Sequence, residues 1–348
     1  MDVDDRNSAS NSPVQSVNSY RSSQDGERLL RNVKGRQFAA KNESYLFPSD
    51  ENEFNRLKKN HLIHLLKLGK LYVEKERVQL VMAPVEGDTK RILDLGTGSG
   101  CWAIGMANEF SHAEVVGVDL APDPSVIPRA PINCRFEFDD INLGLEHFYD
   151  MFDIVHCREL SHGISDFPWL ITEAAKCLKP GGMILVADCD CTLLNEHHEV
   201  QAPALGSGGP GESWLARALF EWNNVVKLCG CSVEFRLMGY ELMHLCPLLD
   251  DAGERFHMIP IGPWQRGQTW DEIQRNHIMG RLMRETHVEL ISSMEIMFST
   301  HGFPRSLIQR FKDGTKQELN DLSLHLYEKW VYSYAMRNNV PHDAIIRN

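Results

Sequence analysis

The sequence predicts an α/β protein with a doubly wound parallel sheet. Between residues 91 and 190, short apolar runs alternate with helical patterns at the spacing of strand–helix–strand units. The first of these runs, RILDL, closes on a glycine turn, GTGSG, that opens a helix. The 348 residues, 43% hydrophobic and 24% charged, have an ordinary globular balance with ample material for a large core.

Residues 1–26 are rich in Ser and Asn and poor in apolar side chains. They cannot bury enough surface to offset ordering, so they predict a disordered tail, a candidate contact segment for a protein partner. From 27 to 84 the expectation is a helical cap. In SDENEFNRLKKNHLIHLLKLGKLYV, Ser49 is the expected N-cap, and Phe54, Leu57, His61, Leu62 and Leu65 recur at helical spacing. Gly69 or the approach to Pro84 ends it.

Strands follow at 91–96, 113–120, 134–140, 152–160 and 183–190, with helices over 101–110 and about 168–178 and a turn at KPGG. WLARALFEWNNVVKLCG is a helix ended by Gly230. HMIPIGPW (257–264) is a sixth strand, 269–299 a long helical pattern, and LHLYEKWVYSYAMR (324–337) a last strand.

A net charge of −12 argues against nucleic acid as a partner. No apolar run approaches a membrane span and no signal segment is present, so the expected location is the cytoplasm, with the nucleus as the alternative. Nine cysteines, an odd number, read as free thiols rather than a disulfide framework. The sequence sets no oligomeric state.

The glycine turn carries the ligand argument. A dinucleotide-binding turn reads G-x-G-x-x-G, whereas here the third glycine, Gly100, comes one residue early and Asp94 stands two residues before Gly96. D-x-G-x-G-x-G resembles motif I of the class I methyltransferases that use S-adenosylmethionine (SAM). SAM carries an ammonium, a carboxylate and a sulfonium, and no pyrophosphate. Asp94 is suited to the amino-acid end, with Gly96, Thr97, Gly98 and Gly100 letting the backbone pass close to the ligand. Asp119 closes the second strand where an acid accepts ribose hydroxyls, with Leu120 beside it. Asp139 and Asp140 close the third strand; Asp140 is preferred for the adenine amino group, with Ile141 against the ring. Trp102 is expected beneath the cofactor, and Tyr45 and His156 complete the set. A nicotinamide dinucleotide is the competing ligand.

From Tyr45 to about Asp190 the chain resembles the LaeA-like methyltransferases of fungi. The residues that carry it are YLFPSDENEFNRLKKNH, RILDLGTGSGCWAI, VVGVDLAP, RFEFDDIN, FDIVHCREL with HGISDFPWL, and LKPGG. LLDDAG, IPIGPW and YEKWVYSYAMR extend it more loosely. The resemblance implies a Rossmann-like, seven-stranded sheet with the last strand antiparallel, a SAM-binding core over 85–200, and a C-terminal half over 201–348. A helical insertion at about 268–322 is expected to cover the substrate side. S-adenosylhomocysteine is the implied product. Family members include regulators of secondary metabolism and tailoring enzymes. Asn60–His61 in place of Gln-His, and HCRELSHGI in place of a glycine-richer run, depart from the family pattern on the expected acceptor side.

Methyl transfer needs positioning and, for a protonated acceptor, a base. His61, His156 and His162 are the candidate bases because imidazole titrates near neutrality, although a hydrogen-bonded core histidine is the commoner occurrence. Arg158 is a candidate for an acceptor carboxylate, or merely a partner of Asp166 or Glu159. No metal is expected, since HCRE offers no oxygen ligand set after the fourth strand. The expected reaction is O-methylation of a small secondary metabolite. The rivals are a SAM-binding regulator working through protein partners, a protein methyltransferase and a nicotinamide oxidoreductase.

Overall fold

The computed structural model describes residues 29–42, 45–322 and 324–344; the expected disordered tail over 1–26 lies outside them. The described residues begin with a hairpin, β1 (Leu30–Val33) and β2 (Arg36–Ala39), where a helical cap was expected. The reason is its two-residue turn. Lys34 and Gly35 both sit at positive φ, 52° and 86°, the twist-matched geometry of tight hairpins.

Helix α1 (Glu51–Leu68) follows. Asp50, not Ser49, caps it, accepting the Glu53 N–H at 3.2 Å, because the Ser49 backbone is pulled into a bond with Gln37. Gly69, left-handed at φ 67°, ends it. A short helix, α2 (Lys75–Val81), leads into the sheet.

The sheet has seven strands in the order β5-β4-β3-β6-β7-β9-β8. They are β3 (Arg91–Leu95), β4 (Glu114–Asp119), β5 (Cys134–Phe138), β6 (Phe152–Arg158), β7 (Leu178–Leu194), β8 (Leu249–Pro260) and β9 (Tyr327–Arg337). Neighbours among β3–β7 pair in parallel, and β9 runs antiparallel between β7 and β8. This is a Rossmann-like, mostly parallel sheet whose last strand in sequence is the reversed one.

The strand bounds differ from expectation in two places. β7 begins at Leu178, so the KPGG turn is an irregularity within a longer strand, marked by a register shift opposite Phe152/Ile154. β8 begins eight residues before the expected start, carried past Asp251 (φ 54°) by a second register shift.

Alternation along the strands sets the two faces. Ile92, Val115, Ile154 and Leu185 pack with α2 and with α3 (Cys101–Glu109). Leu93, Val116, Val155 and Ile184 pack with α4 (Phe167–Cys177) and α6 (Gly239–Leu245). A third apolar cluster joins the far ends of β7–β9 to α5 (Trp214–Leu228), α7 (Trp270–Ser293), α8 (Glu295–Thr300) and α9 (Arg305–Asp321). The expected single helical run at 269–299 breaks at Met294, which is buried. No helix among the described residues is long and apolar enough to cross a membrane.

Candidate functional site

A cleft lies over the carboxyl ends of β3–β6, the end at which open α/β sheets take their ligands. Its floor is the glycine turn. Gly96, Gly98 and Gly100 all hold positive φ, at 67°, 51° and 69°. A Cβ at Gly100 would stand 2.7 Å from the Phe136 ring, so this last turn before α3 tolerates only glycine.

Asp94 and His156 are cross-strand neighbours on β3 and β6. The Asp94 carboxylate is buried and held on both sides, by the Thr97 hydroxyl at 2.7 Å and by His156 Nδ1–H at 2.7 Å. His156 is stacked on Trp102, with ring centroids 3.7 Å apart, and the Trp102 indole N–H donates to the Leu71 carbonyl. Asp119, at the end of β4, accepts the Gly98 N–H at 2.7 Å and that of Ala121 at 3.1 Å. Burial pushes its carboxyl up, against those backbone donors. At the end of β5, Asp140 accepts from Asn142 and from the Asn42 amide at 3.0 Å, while Asp139 faces His147 at 3.4 Å.

The outer wall comes from α1 and the segment before it. Tyr45 packs over Gly163, and the Glu53–Arg56 ion pair (2.7 Å) is buried. The Ser293 hydroxyl of α7 donates to the second oxygen of Glu53. Six carboxylates line the cleft (Glu53, Asp94, Asp119, Asp139, Asp140 and Glu159) against two arginines, Arg56 and Arg158. That balance suits a cationic ligand and opposes a pyrophosphate. The glycine floor and the half-buried acid closing β4 fit SAM.

Residues 86–234 match the model of a methyltransferase domain family. The chain is 40% identical over 146 residues to the secondary metabolism regulator laeA of Coprinopsis cinerea, covering 42% of this chain and 36% of that protein. It is 29% identical over 309 residues to the methyltransferase pytC of Aspergillus terreus, covering 85% of this chain and 79% of the relative. The protein-methionine methyltransferase laeA of Emericella nidulans is 27% identical over 291 residues, covering 81% and 70%. These matches mark the chain as a SAM-dependent methyltransferase similar to the LaeA-like proteins.

In this methyltransferase most of the residues expected at the donor line the cleft: Tyr45, Asp94, Gly96, Thr97, Gly98, Asp119, Leu120, Asp139, Asp140, Ile141 and His156. Gly100 and Trp102 do not. Gly100 turns the chain under the floor, and Trp102 reaches the site only through the His156 ring it supports. The preference for Asp140 at the adenine meets a competing demand, since its carboxylate is already engaged by Asn142 and Asn42.

The histidine bases fare differently from expectation. His61 lies off the cleft, its Nδ1 accepting from Arg158 at 3.4 Å. Burial, with Arg158 and then His156, pushes it down to about 3. His162 lines the cleft but packs against Phe47 and Trp222, and burial with Arg236 and Arg56 pushes it down to about 3. Burial also lowers His156, whose Nδ1–H is committed to Asp94. Imidazoles this deep among arginines stay neutral and are poor bases.

The group that titrates near neutrality is a carboxyl. Glu159 follows β6 at φ 55° and accepts the Asn60 amide at 2.5 Å. Burial pushes it up to about 7 against the pull of Arg56 and Arg158. It stands where the cleft meets a second chamber lined by Phe47, Asp188, Trp222, Thr286, His287 and Glu328. Sequence reasoning named Glu159 only as a possible partner of Arg158 and did not single out Trp222. Neither has a local signal, because what makes them notable arrives from other elements.

Proposed function

We propose that this enzyme methylates a small hydroxylated metabolite at oxygen, with the donor held over the glycine turn. In this reading Asp119 takes the ribose hydroxyls, Asp94 and Thr97 the amino-acid end, and Asp139 or Asp140, with Ile141, the adenine. Asp94 owes its orientation to His156 and, through that ring, to Trp102. Arg158, steadied by His61, faces the acceptor side. The protein supplies position, exclusion of water and a place for the acceptor's proton.

The observation that carries the reading is the shape of the acceptor side. The chamber beyond Glu159 is walled by side chains that are themselves buried, Arg56, Asn60, Asp188, Trp222 and His287 among them. A small molecule fits a recess walled by buried side chains; a polypeptide acceptor requires a long surface groove. The cytoplasm is the matching location for such a reaction.

Methyl-labelled SAM tests this. Incubated with the protein and a fungal small-molecule extract, the label should pass into the organic phase as methyl ethers. Label recovered instead in precipitated polypeptide would favour a protein acceptor, as the name of the Emericella relative suggests, and would overturn the reading.

A further inference from the structure

The chamber behind the cleft holds polar atoms with nothing to bond. Trp222 is 6% exposed and its indole N–H has no hydrogen-bond partner. His287, 4% exposed, donates Nδ1–H to the Met283 carbonyl at 2.8 Å, which leaves Nε2 unpartnered, 3.5 Å from Glu328 Oε1. Buried groups of this kind cost about 1–3 kcal/mol each when left unmade, so two of them lining one chamber point to an occupant with polar atoms of its own. The rest of the lining is mixed, with Phe47, Leu219 and Leu290 set among Arg56, Asp188 and Arg236. Phe47 meets the Trp222 ring at 6.0 Å and the His162 ring at 5.0 Å, both edge-on, so the chamber carries an aromatic corner that a further ring can join.

Glu159 lines both spaces, the donor cleft and this chamber. Asn60 holds its Oε2, and among the described residues Oε1 receives no hydrogen bond and the carboxyl forms no ion pair. A carboxyl in that position is oriented by one oxygen and open at the other.

We propose that the chamber receives a hydroxylated aromatic ring, a phenol, and that Oε1 of Glu159 accepts its hydroxyl proton as the methyl group is transferred. The inference rests on the small-molecule reading above and names its acceptor class and its base. In the step, the phenolic proton passes to Oε1 and the oxygen lone pair forms the new C–O bond. The methyl–sulfur bonding pair stays on sulfur, which leaves as a neutral thioether. The charged groups facing Glu159 are Arg56 from α1, Arg158 on β6, Asp188 on β7 and Glu328 on β9. The arginines favour the carboxylate; the two acids and burial favour the protonated form, so the proton can be held and then released near neutral pH.

The probe is 2-naphthol, a fluorescent phenol whose own proton is lost well above neutrality. Binding is read by fluorescence on protein saturated with S-adenosylhomocysteine, whose affinity, measured by calorimetry, also reports on the fold. Wild type should bind naphthol saturably. Trp222→Phe should weaken naphthol binding at least tenfold while keeping the homocysteine product bound. Glu159→Gln should keep both ligands within about threefold and lose methyl transfer to naphthol by about 100-fold or more. It should also lose the rise in rate that wild type shows around pH 7.

Unchanged naphthol affinity in Trp222→Phe would overturn the chamber as the acceptor site. A Glu159→Gln enzyme with wild-type rate, or with the same pH rise, would overturn Glu159 as the base. Both outcomes leave small-molecule methylation standing. A wild-type protein that binds S-adenosylhomocysteine but never binds naphthol, and labels only polypeptide, would sink the small-molecule reading and this inference with it.

Discussion

The proposed donor side of the cleft is assembled from three strand ends that follow one another in the chain, at 94–99, 119–120 and 139–142. The proposed acceptor side draws one to three residues apiece from elements scattered between Phe47 and Glu328. The donor side is therefore set by local backbone, through positive φ at three glycines and acids at strand ends. The acceptor side is set by packing, because it exists only once α1, α5 and α7 have closed on β6, β7 and β9. Substitutions on the two sides should accordingly fail in different ways.

The largest effect is expected on the packed side. Arg56→Met leaves Glu53 buried with the Ser293 hydroxyl but without its countercharge, and should cost about 3–5 kcal/mol of unfolding free energy in urea. The double variant Glu53→Met/Arg56→Met should recover most of that loss; no recovery would mean that the pair is not acting as a buried unit. On the local side, Gly100→Ala forces a left-handed alanine against the Phe136 ring and should cost about 1–3 kcal/mol. It should weaken SAM binding as well, because the strain sits in the floor of the cleft. Asp119→Ala should weaken SAM and S-adenosylhomocysteine binding by about 1–3 kcal/mol in calorimetry, through lost ribose hydrogen bonds. An unchanged affinity would remove Asp119 from the ribose.

A different kind of effect is a slope with pH. His61 and His162, held neutral down to about 3 in the fold, bind protons at their ordinary value of 6.5 once unfolded. The unfolded state therefore gains protons first, and stability should fall as pH drops from 6.5 toward 3. Glu159 acts in the opposite sense. Its carboxyl is pushed from 4.5 to about 7, so the stability it contributes below 4.5 is lost as pH rises through about 7. Unfolding midpoints of His162→Phe and Glu159→Gln across pH 4–8 should each flatten one of these slopes; parallel curves would remove the assignment.

The same division explains what could be read from the sequence. β3, the glycine turn and the acids at 119, 139 and 140 are legible because the spacing along the chain is itself the geometry. The hairpin at 30–39 was missed because Lys-Gly is a weaker turn signal than Asn-Gly, although Lys34 takes the same positive φ. The histidines stayed open between base and core because no spacing reports how deeply a ring will be buried or which arginine will face it. Two departures from the family pattern, Asn60–His61 and the run beginning HCRE, are far apart in sequence. In the fold they touch twice, Asn60 on Glu159 at 2.5 Å and His61 on Arg158 at 3.4 Å.

The position of β9 has a consequence for how the protein is made. It lies inside the sheet, yet it is separated from β7 by everything from Asn195 to Leu326. During synthesis, the edge of β7 must wait for that whole stretch before its neighbour emerges, and β8 also waits without its only partner strand. A nascent chain of this protein thus carries two unpaired strand edges for most of its later growth, the condition that invites aggregation. Chaperone demand should track the arrival of residues 327–337 rather than the completion of the donor-binding half.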